Sequence, residues 1–167
     1  MTSLLGFPNP VNEKAARTVA AGVALLCALT LALAATLGSG WLWLSVPIAL
    51  GFVARVLTGP RLSPLGRLAT EVVAPRLGPA TLVPGPPKRF AQGMGATLTV
   101  AAVVLLAMDV PAATVVLLAL VVVAAVLESA LAFCLGCRVF AVLMRLGLIP
   151  AETCEACANL GSRPRTV

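Results

Sequence analysis

A chain of 167 residues that is 60% hydrophobic and only 11% charged has too little polar surface to fold as a soluble domain, and its composition is that of a membrane protein. Its net charge of +6 comes from 12 basic and 6 acidic residues, and it contains no histidine and no tyrosine. The absence of histidine removes the commonest general base and the commonest metal ligand, which excludes serine–histidine hydrolases and most zinc hydrolases.

Four apolar runs follow in chain order: residues 18–37, 41–57, 94–108 and 112–133. A bilayer crossing needs roughly 20 apolar residues, so the first and last suffice on length, while the middle two are short but bounded by interfacial signals such as Trp41 and Trp43. The first run also resembles a secretory signal core with a small-residue cleavage site near Ala32 and Ala34, but it is longer than such a core. Residues 38–40 and 109–111 leave room only for tight reversals between antiparallel helices. The expected fold is therefore all-α and polytopic, four transmembrane helices arranged as two helical hairpins, with short interfacial helices.

All 12 basic residues fall at one end of this four-pass arrangement, and the two short turns carry none. The positive-inside rule assigns that end, with both termini, to the cytoplasmic face of the plasma (inner) membrane. The chain then divides into a cytoplasmic N-terminus (1–17), a transmembrane domain (18–133) with a cytoplasmic loop (58–93), and a cytoplasmic tail (134–167). Within the loop, a short amphipathic helix is expected around residues 63–75, and residues 84–87 are expected to be extended because three of them are proline. Lys88, Arg89 and Phe90 have the composition of a membrane-surface anchor. The basic balance is explained by topology, and no nucleic-acid motif, phosphate-binding loop or internal repeat is present.

The chemistry-bearing residues lie in the tail. Cys134 and Cys137 form one Cys-x-x-Cys pair, Cys154 and Cys157 a second, with sixteen residues between the pairs. This spacing suits a four-thiolate metal site, most simply zinc, and equally suits two dithiols that pass electrons or sulfur. Cytoplasmic thiols are held reduced, so permanent structural disulfides are not expected. If the fourth span runs on to Cys134, its negative end opposes thiolate formation at Cys134 and Cys137. Glu152 and Glu155 oppose it at the second pair, against the help of a helix start after Pro150. Neither pair is thus expected to hold an acidic nucleophile. Cys27, alone in the first span, reads as a small core residue. The segment 138–148 is either an interfacial helix or an extension of the fourth span.

Glu128 lies within the fourth span, about 9 Å of helix rise before Cys134. Ionisable groups in a bilayer are costly and need a partner, and Arg55, near the end of the second span, is the expected one.

The sequence 9–13 (Asn-Pro-Val-Asn-Glu), the sequence 86–91 (Pro-Pro-Lys-Arg-Phe-Ala) and the paired Cys-x-x-Cys ending at Cys157 resemble an uncharacterised bacterial family known as a four-pass membrane domain of unknown function. Genes of that family often neighbour thioredoxin-like proteins and rhodanese-type sulfurtransferases, so the resemblance implies a role in thiol or sulfur handling. Two functions are expected from these features together. One is a membrane-bound dithiol relay in which Cys154 and Cys157 exchange with a thioredoxin-like or sulfurtransferase partner and Cys134 and Cys137 pass the electrons or sulfur on. The other is a scaffold, carrier or accessory subunit, open to oligomerisation, whose four cysteines bind structural zinc.

Overall fold

The computed structural model describes residues 7–154. Four helical segments in it are long and apolar enough to cross a membrane: Glu13–Leu37, Ser39–Thr58, Gly85–Ala107 and Pro111–Leu131. The chain is an all-α, multi-pass membrane protein. Helix α1 (Glu13–Leu37) is started by Asn12, whose side chain accepts from the Lys14 amide. A 3-10 segment, Ser39–Leu44, leads into α2 (Ser45–Thr58). The loop that follows contains the expected short helical stretch, built from α3 (Pro64–Arg67), a π-helical turn (Leu68–Val73) and α4 (Ala74–Arg76). Helix α5 (Gly85–Ala107) and helix α6 (Pro111–Leu131) form the second hairpin, and α7 (Leu135–Arg145) turns back beneath it.

Helix α1 packs mainly on α6, α2 on α5, and α5 on α6, while α1 and α2 touch only lightly. The interior is rich in small residues, with Ala20, Ala24, Cys27, Ala102 and Ala125 buried, and is filled out by Leu42, Phe52, Leu106 and Leu118. Larger apolar side chains, among them Leu25, Leu29, Val116, Leu120 and Val123, point outward. Lipid tails are as apolar as leucine, so such helices associate through close packing of small residues, and this distribution follows. Cys27 is fully buried in that interior, as its sequence context implies. The buried threonine hydroxyls are satisfied within the bundle, Thr30 donating to Leu26 O, Thr99 to Gly95 O and Thr114 across the hairpin to Ala102 O at 2.9 Å, whereas the buried Ser45 Oγ has no partner.

Two expectations are corrected. Residues 84–87 are not an extended linker. Gly85 opens α5, with Pro86 and Pro87 in its first turn, where a missing N–H costs nothing and the fixed φ favours the helix. The third span therefore starts well before residue 94. The fourth span, in turn, does not continue into the cysteine tail. Helix α6 stops at Leu131, Ala132 takes a left-handed conformation (φ 53°, ψ 24°), and Cys134 begins a new helix. This break rules out residues 138–148 as an extension of the fourth span.

The N-terminal segment ties this end together. Strand β1 (Val11–Asn12) pairs antiparallel with β2 (Leu82–Val83), the Glu13 amide donates to Thr81 O, and Asn9 Oδ1 accepts from the Gly85 amide at 3.0 Å. The residues at 9–13 thus hold the start of α5, the helix that carries Lys88.

Candidate thiol site at the charged end of the bundle

The break after α6 is fixed from a distance. Arg17 on α1 donates through Nε (3.1 Å) and Nη2 (2.8 Å) to Ser129 O, with a further Nη2 contact to Ala130 O. A guanidinium at the last free carbonyls satisfies their lone pairs and offsets the negative end of the helix dipole. The chain can then reverse and start again at Cys134.

Cys134 occupies the N-cap of α7. Its Sγ accepts from the Cys137 amide at 3.4 Å and from the Cys137 thiol at 2.7 Å. This reverses the electrostatics expected from the sequence: the pair sits at the positive start of a helix rather than at the negative end of one. The hydrogen bond from the Cys137 thiol holds the Cys134 thiol below its ordinary value, against burial and the Glu128 charge, and the Cys137 amide and the Lys88 charge act in the same direction. Cys137 is driven the other way. Donating to Cys134, half-buried, and facing that sulfur's negative charge, it stays protonated well above the ordinary thiol range. The same hydrogen bond thus makes the two thiols unequal, with the proton held on Cys137.

Helix α7 is seated by close packing on α5. A Cβ at Gly136 would come within 2.5 Å of Ala91 Cα, so the residue just before Cys137 must be glycine for α7 to lie this close. Phe140 is buried and meets the Phe90 ring edge-on, with centroids 5.7 Å apart. Arg138 stacks over the Phe133 ring at 5.2 Å.

Beside the thiols lies an ion pair. Lys88 Nζ is 2.8 Å from Glu128 Oε1, and both side chains are largely buried, 11% and 15% exposed. Glu128 is therefore paired, but not with Arg55. Arg55 instead donates to Gln92 Oε1 (2.9 Å) and Ser63 Oγ (3.0 Å) and lies over the Phe52 ring. The reason is packing: α6, which carries Glu128, lies against α5, which carries Lys88, whereas α2, which carries Arg55, packs on α5 and hardly touches α6. Lys88, Arg89 and Phe90 each also make contacts within the bundle. Lys88 meets Glu128, Arg89 donates to Val56 O, and Phe90 meets Phe140. The helical start at Pro86 was the available signal, because it places Lys88 inside α5 rather than in a linker.

Cys154 ends a 3-10 segment, Ala151–Cys154, that packs on α5; it is buried and disulfide-bonded. Cys157 lies outside the described residues. A four-thiolate metal site requires free thiolates spread around one ion, with sulfurs about 3.8 Å apart for tetrahedral zinc at roughly 2.3 Å from each. The 2.7 Å between Cys134 and Cys137 and the disulfide at Cys154 do not fit that arrangement. Among the described residues, no three metal-ligating side chains come together.

Residues 11–145 match the family model of a domain of unknown function (DUF4395), and the chain belongs to that family. The matched region includes Cys134, Cys137, Lys88 and Glu128 and ends before Cys154. No curated protein and no solved structure matches the chain.

Proposed function

We propose that this member of the DUF4395 family is a dithiol–disulfide relay of the plasma membrane, with its thiol end facing the cytoplasm. The observation that carries the reading is the asymmetric Cys134–Cys137 pair at the start of α7, one thiol lowered and the other raised by the same hydrogen bond. The cytoplasmic placement is supported by the collection of all basic residues at one end of the bundle.

In this scheme the Cys134 thiolate attacks one sulfur of a disulfide. A new S–S bond forms as the old one breaks, and the departing sulfur leaves as a thiolate that takes up a proton. Cys137 then gives up its own proton to solvent and attacks Cys134 Sγ. The mixed disulfide breaks, a Cys134–Cys137 disulfide closes, and a second thiolate leaves and is protonated. Counting the proton that Cys134 released to solvent on ionising, the pair loses two electrons and two protons, and the acceptor disulfide takes them up to become two thiols. Lys88 stabilises the attacking thiolate, and Glu128 keeps that cation in place. The acceptor is the disulfide at Cys154, and Cys154 with Cys157 exchanges in turn with a soluble thioredoxin-like or sulfurtransferase partner.

The test is trapping. A Cys137→Ser variant, treated with a small-molecule disulfide, should accumulate a stable adduct on Cys134. In Cys134→Ser the remaining Cys137, relieved of its neighbour's charge but without a donor of its own, should react more slowly than Cys134 does. Equal modification of either remaining thiol contradicts the assignment. A Cys154→Ser variant that still forms mixed disulfides with a thioredoxin-like protein removes the second pair from the scheme.

A further inference from the structure

Arg55 presents a separate problem. It is only 5% exposed, and its Nη2 is buried without a hydrogen-bond partner, while Nε and Nη1 are bound to the neutral groups Gln92 and Ser63. The ring of Phe52, 4.5 Å from the guanidinium centre, supplies a quadrupole but no charge. Among the described residues, the carboxylates in ion pairs are Glu71, with Arg67, and Glu128, with Lys88, and none pairs with Arg55. A buried cation with no counter-charge is costly. Packing alone does not meet that cost.

Arg55 also lines a cavity of about 300 Å³ at the charged end of the bundle, between the N-terminal segment, α1 and the starts of α3 and α5. Its walls are mostly apolar, with Val11, Ala16, Val19 and Leu82 among them, and its polar lining includes Arg55, Gln92 and Lys88. Lys88 is already neutralised by Glu128, so the cavity carries one uncompensated positive charge. We infer that this cavity binds a small amphiphilic monocarboxylate, its carboxylate on Arg55 and Gln92 and its short hydrocarbon body along the apolar wall. Charge matching selects a monoanion, since a dianion would leave a buried negative charge. The apolar wall selects a hydrocarbon body over a free inorganic anion, and the volume sits at the small end of the range for ligand sites. The cavity borders the thiol pair through Lys88, but its free charge is that of Arg55 and binding there does not require the thiol exchange.

Octanoate serves as the probe, carbonyl-labelled and observed by NMR with the full chain in nanodiscs of zwitterionic lipid. Saturable binding is expected, unaffected by octanol or inorganic phosphate. Arg55→Gln should weaken it by about tenfold or more, the loss of a charge-assisted contact. Because Arg55→Gln also removes buried hydrogen bonds, Ala16→Phe, which narrows the cavity and keeps Arg55, should weaken binding as well. Non-saturable uptake, or equal binding by wild type and both variants, overturns the inference. Competition by octanol shows that only the chain is recognised, and competition by phosphate shows that only an inorganic anion is; either result overturns it. Displacement when anionic phospholipid is added to the nanodisc assigns the cavity to a lipid phosphate and overturns the carboxylate.

Discussion

Cys137 donates its thiol to Cys134 across 2.7 Å at the first turn of α7, and the Lys88–Glu128 ion pair stands beside them. The contact makes two chemically identical side chains unequal. Cys134 accepts hydrogen bonds from a thiol and an amide, and Cys137 can only donate while its neighbour carries the charge. A dithiol that works by sequential attack needs this division, with one sulfur ionised to begin the exchange and one held back to finish it.

Removing the donor should be visible in the pH dependence of alkylation. In wild type the Cys134 rate should reach half its maximum below the roughly 8.5 of a free thiol. Cys137→Ala removes the hydrogen bond, so the midpoint should move up. Cys137→Ser retains a donor and should leave the midpoint close to wild type. Peptide-mapped alkylation across pH 5–10 (a range of about five units around the free-thiol value) reads all three.

Charge substitutions beside the pair should act in opposite directions. Lys88→Gln removes the stabilising cation and leaves Glu128 facing the thiolate, so the Cys134 midpoint should rise. Glu128→Gln removes the opposing carboxylate and leaves the cation, so the midpoint should fall. A pair serving only to hold helices together would change stability in both variants and shift neither midpoint.

Gly136→Ala tests the seating of α7. The added methyl meets Ala91 on α5, and forcing extra atoms into such a contact costs about 1–3 kcal/mol. Reduced thermal stability in detergent is expected, together with faster alkylation of Cys137 as α7 lifts from α5.

Arg17→Gln tests the junction. Without its cation the last carbonyls of α6 lose charge-assisted hydrogen bonds, at a cost of about 1 kcal/mol. Hydrogen exchange should increase at residues 129–134 more than along the rest of α6.

Much of the architecture is legible in the sequence because bilayers impose simple requirements. Run length marks the four crossings, and the grouping of basic residues at one end fits an even number of them. Cys27 is readable as a core residue because a lone cysteine in an apolar span behaves as a small apolar side chain. The site was harder to read, because its decisive contacts are remote in sequence. The turn at Ala132 depends on Arg17, 112 residues from Ser129, and a purely local reading runs α6 straight on into Cys134. That error reverses the sign of the dipole at the thiols. The partner of Glu128 was ambiguous for a related reason. Lys88 and Arg55 both lie at the right end of the bundle, and only the packing of α6 on α5 decides between them. The proline-rich start of α5 hid Lys88, since prolines that open a helix look much like prolines in a linker.

The most direct test of the relay is the order in which thiols react in reduced, anaerobically purified protein, with bound zinc and iron measured on the same sample. Limiting alkylating agent at neutral pH should modify Cys134 first and leave Cys137 largely protonated and slow, with no stoichiometric metal. Resistance of Cys134, Cys137, Cys154 and Cys157 together with one zinc per chain would contradict the relay and make the cysteines a metal clip.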